Sequence, residues 1–256
     1  MIPAASVLAL RGDPELRVLM VRRTPKSRSW AGLWVFPGGR IEAGEDVPVA
    51  AARELFEETG LLLADGSSRA MTLAQDSREA VHAGEVAFMD LVSASGLVFE
   101  RARLAPVSRW QTPSFEKRRF DAHFFVSDAS FLGAPCLDAV VADASETVEE
   151  RWWSPADILG RYYANELELA PPTLRHLEDL VRWETVAGAL NSARERQVQP
   201  IMPRIVPTDP TRILMPWDPD YSDTPGEGVD WRPSVVEPFG PSRFVLVDGR
   251  WRSSEP

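Results

Sequence analysis

The apolar positions change period several times along the chain. PAASVLAL (3 to 10) and LRVLMVRR (16 to 23), separated by the turn-like GDPE, read as two strands of a β-hairpin. A polar loop, TPKSRSWAGLW, carries Pro25 and Gly32, and Pro37-Gly38-Gly39 must turn the chain after WVF. Val49, Ala52, Leu55 and Phe56 then recur at helical spacing, predicting a helix over 47 to 59. Asp46 is its expected N-cap, Pro48 is tolerated in the first turn, and Gly60 is placed to end it. Residues 76 to 97 repeat the helical period through Ala80, Val81, Ala87, Phe88 and Leu91, and read as a separate inserted helix.

Residues 106 to 110, 118 to 127 and 147 to 154 read as further strands, with a short helix from Pro155 and another from Pro171 to about Asn191. From Gln199 the pattern breaks, because prolines from Pro200 to Pro241 exclude long helices and central strands. Trp217, Trp231 and Trp251 still lie in this segment, so an arm packed on the body or on a second subunit is expected rather than disorder. The expected division is a body over 1 to 198 and a proline-rich extension over 199 to 256.

Composition narrows the function. The chain has 256 residues and a net charge of −10, which argues against nucleic-acid or anionic-membrane binding, since both need a surplus of Lys and Arg. Any anionic ligand must meet a local basic patch or a metal. Cys136 is the single cysteine, which excludes an intrachain disulfide and points to a reducing, cytoplasmic setting. The N-terminal run lacks a basic n-region and meets Arg11 within its apolar stretch, so it reads as a strand and not as a signal peptide.

On a helix over 47 to 59, Glu54, Glu57 and Glu58 stand at i, i+3 and i+4, so their carboxylates share one face. Like charges so placed repel, and either an Arg53–Glu57 ion pair on a solvated face or a hard divalent cation such as Mg²⁺, which takes carboxylate, phosphate and water oxygens, offsets that repulsion. The apolar residues on the opposite face seat the helix on a core and hold the carboxylates still.

The full spacing is more specific. Gly39, five residues, Glu45, seven residues, then Arg53-Glu54-Leu55-Phe56-Glu57-Glu58-Thr59-Gly60-Leu61 resembles the Nudix box at every fixed position. The resemblance implies an α/β protein with the Nudix fold, an α/β/α sandwich around a mixed sheet. It also implies hydrolysis of a small molecule in which a nucleoside diphosphate is linked to another moiety. The implied metal ligands are Glu54, Glu57, Glu58 and the Gly39 carbonyl, with Arg53 orienting the glutamates and Glu45 supporting.

Upstream, Leu19, Met20, Arg23, Arg28, Gly32 and Phe36 keep the spacing of the coenzyme A diphosphatase signature, with Val21 and Thr24 replacing its usual residues. Arg22, Arg23, Lys26 and Arg28 place four cations within seven residues of an acidic chain, where Arg22, Arg23 and Arg28 are candidates to bind substrate phosphates. Downstream, Trp110-Gln111-Thr112-Pro113 and Arg119-Phe120-Asp121-Ala122-His123-Phe124-Phe125 are similar to the peroxisomal-type branch of those diphosphatases, which also carries an inserted helix. The substrate so implied is CoA or acyl-CoA. ADP-ribose, NADH or another dinucleotide, and a non-hydrolysing nucleotide sensor, are the alternatives.

Family practice also suggests a glutamate outside the box as general base. Glu146, six residues before Trp152, is the first choice and Glu149 the second. His82, His123 and His176 are scattered and read as structural. Family habit and a tail able to wrap a neighbour raise a homodimer as an expectation.

Overall fold

The computed structural model describes residues 1–12, 15–27, 29–64, 77–229, 231 and 240–256. Arg28 lies outside the described residues, as does the start of the inserted segment.

Strands β1 (Ile2–Gly12), β2 (Leu16–Arg23), β3 (Trp34–Val35) and β4 (Gly38–Arg40) lead into α1 (Val47–Thr59). Helices α2 (77–82) and α3 (Phe88–Ala94) follow, then β5 (Ala105–Gln111), β6 (Phe120–Asp128), α4 (Ala134–Asp138) and β7 (Thr147–Trp153). The eight-stranded sheet runs β3-β2-β1-β6-β5-β8, where β8 is Pro200–Ile201, with β4 paired to β1 and β7 to β2. β1 is antiparallel to β2 and β4 but parallel to β6, so the sheet is mixed.

Strand alternation builds two cores. Ala5, Val7 and Ala9 of β1, Leu19 of β2 and Phe125 of β6 face a layer made by α1, α3 and α4. Leu8, Leu10, Val18, Met20, Phe124 and Val126 face the other side. There they meet α5 (Pro155–Tyr163), α6 (Pro171–Trp183) and α7 (Val186–Glu195). Helices on both faces make the α/β/α sandwich of the expected class.

Two predicted helices are broken. In the inserted segment, Gly84 takes a left-handed φ of 72° and the backbone turns, leaving α2 and α3 as separate pieces. The helix expected from Pro171 to Asn191 stops at Trp183, where Glu184 has φ 59°. Thr185 then opens α7 as its N-cap, accepting from the Gly188 amide at 3.0 Å.

The proline-rich segment packs on the body and adds strands of its own. β8 (Pro200–Ile201) pairs in parallel with β5 at the sheet edge, where a missing proline N–H costs no ladder bond. β9 (Arg204–Val206), β10 (Arg212–Leu214), β11 (Arg243–Val247) and β12 (Arg250–Ser254) form a separate four-stranded antiparallel sheet. Ile213 and Phe244 from it, with Met215 just after β10, join the core beneath α5 and α6. Arg250 donates to the Leu167 carbonyl at 2.6 Å and Arg175 to the Pro241 carbonyl at 2.7 Å. No described helix is long and apolar enough to cross a membrane.

Candidate active site

The site grows from β4. Gly38 and Gly39 pair with Ser6 and Ala5 of β1, and neither position has room for a side chain. A Cβ on Gly38 would meet the β1 backbone, including Ser6 Cα at 2.6 Å, and one on Gly39 would meet the Glu54 carboxylate, its Cδ at 2.5 Å. The paired glycines therefore let β1 and α1 close on the same short segment.

Helix α1 starts and ends where the periodicity places it, with Gly60 left-handed at φ 73° and its amide on the Phe56 carbonyl. Asp46 occupies the N-cap position without a side-chain cap bond, because its carboxylate pairs with Arg101 at 2.9 Å. Ala52, Leu55 and Phe56 are buried in the core, and Glu54, Glu57 and Glu58 lie toward the glycine turn and its surroundings.

Arg53 organises these acids. Its Nε and Nη2 reach Glu45 at 2.8 and 3.0 Å, Nη1 reaches Glu54 at 3.0 Å and Glu57 at 3.1 Å, and Nη2 also donates to the Arg40 carbonyl at 2.9 Å. Burial opposes the guanidinium charge, but the Glu45 hydrogen bond and the neighbouring carboxylates hold its pKa above the ordinary value. Glu58 accepts from the Gly38 amide at 2.9 Å.

The carboxylates are short of positive charge. Burial pushes Glu54 up to about 7, with Arg53 lowering it and Glu57 raising it. Burial also holds Glu58 well above the carboxylate range, against the Gly38 hydrogen bond. Among the described residues no three acidic, His or Cys side chains stand gathered as a metal centre. Arg53 sits between Glu54 and Glu57 and the Gly38 amide holds Glu58, which keeps the carboxylates apart. Buried hard-oxygen donors that outnumber the arginines paired with them nonetheless suit a hard divalent cation that completes its shell with water and phosphate oxygens.

Strand β2 separates the candidate arginines. Arg23 reaches Ser27 Oγ at 3.2 Å, Glu146 at 3.5 Å and Glu58 at 3.8 Å, so it joins the site. Arg22 does not. It is exposed, pairs across the strands with Glu149 at 3.4 Å and shares the opposite face with Met20. The alternation of β2 takes both Arg22 and Glu149 away from α1.

Glu146 lies beside the site, and its charge raises the pKa of both Glu54 and Glu58. Its loop is built by Asp143, whose carboxylate accepts from the amides of Ser145, Glu146 and Thr147 at 2.8 to 3.2 Å. Asp143 escaped sequence reading, although Asp-Ala-Ser-Glu-Thr before a strand is an Asx-turn pattern. His82, expected to be structural, brings Nδ1 within 3.7 Å of Glu57 Oε2. Arg78, also missed, donates to the Glu57 carbonyl at 2.7 Å.

A mixed sheet between helical layers, with a glycine turn feeding a glutamate-bearing helix, is the architecture of a Nudix fold. The NUDIX domain profile matches residues 2–177. The NUDIX hydrolase of Alicyclobacillus acidocaldarius superposes with a TM-score of 0.60 at 28% identity, covering 71% of this chain and 91% of that one. The acyl-coenzyme A diphosphatase NUDT19 of Xenopus laevis is 23% identical over 319 aligned positions, covering 92% of this chain and 82% of the relative. Its Gallus gallus counterpart is 26% identical over 257, covering 83% and 65%. The octanoyltransferase of Myxococcus xanthus is 42% identical over 92 residues, and the chain spans 23% of its length. The chain belongs to the NUDIX family and is a Nudix hydrolase by class.

Proposed function

We propose that the protein is a divalent-metal-dependent diphosphatase of CoA or acyl-CoA, releasing adenosine 3′,5′-bisphosphate and a 4′-phosphopantetheine product. The observation that carries this reading is the length of the similarity to acyl-coenzyme A diphosphatases, which runs over 92% of the chain and so beyond the glutamate helix alone. Arg23, in the segment similar to the CoA diphosphatase signature and 3.8 Å from Glu58, supports it.

In this reading Glu54, Glu57, Glu58 and the Gly39 carbonyl hold Mg²⁺ or Mn²⁺, which when bound offsets the diphosphate charge and acidifies water. Arg53 and Glu45 keep Glu54 and Glu57 in place, and Arg23 meets a phosphate oxygen of the substrate. Glu146 accepts the proton of the attacking water. The water oxygen bonds to phosphorus as the anhydride P–O bond breaks, and the leaving phosphate departs as its anion.

The test is chromatographic product analysis with purified protein, Mg²⁺ or Mn²⁺, and CoA, acetyl-CoA, ADP-ribose, NADH and diadenosine polyphosphates. Preferential conversion of the CoA species to adenosine 3′,5′-bisphosphate is expected. Preferential cleavage of ADP-ribose or NADH sinks the CoA assignment and keeps the hydrolase, while binding without turnover on either metal favours a sensor.

A further inference from the structure

The box helix lacks something that the inserted segment supplies. α1 carries Glu57 and Glu58 in its last turns, where the negative end of the helix dipole opposes them, and has no basic residue of its own there. Its terminal carbonyls also need donors from outside the helix. Arg78 of α2 supplies one, with Nε on the Glu57 carbonyl at 2.7 Å. Four residues on, and so on the same face of α2, His82 approaches the Glu57 carboxylate at 3.7 Å.

Arg78 also reaches the loop bearing Glu146. Its Nη1 donates to the Val141 carbonyl at 2.7 Å, and the Val141 amide donates to the Thr59 carbonyl at 3.1 Å. Its Nη2 is buried with no hydrogen-bond partner among the described residues, and the carboxylates that act on the guanidinium are Asp143, Glu58 and Glu150. One side chain thus touches the end of the glutamate helix and the start of the loop that Asp143 shapes around Glu146.

We infer that α2 is part of the catalytic apparatus: Arg78 is a positioning residue that fixes the spacing between Glu57 and Glu146, and His82 steadies the Glu57 carboxylate. The inference rests on the proposed roles of Glu57 and Glu146. It gives the insertion a task that a merely space-filling helix would not have.

Arg78→Met and His82→Ala are the tests, read in three ways. With a cleaved substrate, R78M is expected to lower kcat about 10- to 100-fold, as loss of an outer-shell support does. KM should move by less than about threefold, because substrate contacts are intact. Guanidinium ion added to R78M should restore part of kcat, which a general loss of fold would not allow. Without substrate, R78M should weaken Mn²⁺ binding in electron paramagnetic resonance titrations about tenfold, and H82A less. Amide hydrogen exchange across 141 to 147 should accelerate in R78M.

Unchanged Mn²⁺ affinity and unchanged exchange in R78M overturn the inference whether or not any substrate is turned over, which separates its failure from that of the proposed function. If R78M does not fold, Arg78→Lys, which keeps the charge and loses the two-pronged geometry, is read in the same assays with the same outcomes.

Discussion

Gly39→Ala is the most informative single substitution, because its added carbon strikes one side chain. The new Cβ would lie 2.5 Å from Glu54 Cδ and 2.7 Å from its Oε1, where unstrained contacts are about 3.5 Å. The Glu54 carboxylate must therefore withdraw by about 1 Å, and a displacement of that size at a reacting centre costs on the order of 100-fold in rate. Stability should change little, about 1–2 kcal/mol, since the struck group is the end of a flexible side chain. Gly38→Ala is the control. Its Cβ meets the β1 backbone at Ser6 Cα, 2.6 Å away, which cannot withdraw, so stability should fall by about 3 kcal/mol or more. Urea unfolding and steady-state kinetics on both variants decide the matter. G39A with wild-type kcat, or with the same stability loss as G38A, refutes the claim that Gly39 exists to admit the Glu54 carboxylate.

Four further outcomes follow from the same geometry. Glu57→Gln should reduce kcat at least about 100-fold while leaving metal-free stability within about 1 kcal/mol, and retained turnover under saturating Mg²⁺ contradicts its assignment as a ligand. Arg53→Met leaves Glu45, Glu54 and Glu57 without their shared cation and should cost about 3–5 kcal/mol in urea unfolding, against which a loss below 1 kcal/mol would count. Glu146→Gln should lower kcat with Mn²⁺ affinity unchanged, and a parallel loss of metal binding would assign Glu146 to the metal instead. Buried His176, hydrogen-bonded to Ser108 and the Pro172 carbonyl at 2.8 Å, has its pKa pushed down to about 3 by burial. Because the folded state disfavours its protonation, its contribution is present above its unfolded pKa of about 6.5 and declines as pH falls toward 3, by about 2 kcal/mol between pH 7 and pH 5. Asp179, raised to about 6 by burial, works in the opposite sense over the same range, so the quantity to measure is the stability difference between wild type and His176→Gln. A difference that does not shrink from pH 7 to pH 5 contradicts the reading.

Much of the site was legible because its determinants are local. A 3.6-residue period puts Glu54, Glu57 and Glu58 on one face whatever surrounds the helix, and Gly60 ends α1 because its left-handed φ disfavours other residues. The two opening strands were legible as a hairpin, but that Leu8 and Leu10 enter one core and Val7 and Ala9 the other appeared only in the structure. Where local signals competed, reading by period overran: the apolar rhythm continues across Glu184 and across Gly84, but the backbone reverses hand at both.

The sequence by itself determined the strands of the opening hairpin, the glutamate helix and the family, since each is written in residues a few positions apart. Tertiary structure decided which cations reach the site, because that depends on contacts between residues distant in the chain. Arg23 meets Glu58 while adjacent Arg22 meets Glu149, a choice made by the pairing of β2 with β7. The fold of α2 over α1 brings Arg78 and His82 to Glu57, more than twenty residues away. The proline-rich tail became edge strand β8 and a second sheet because β5 and the surfaces of α5 and α6 offered partners that no local pattern announces.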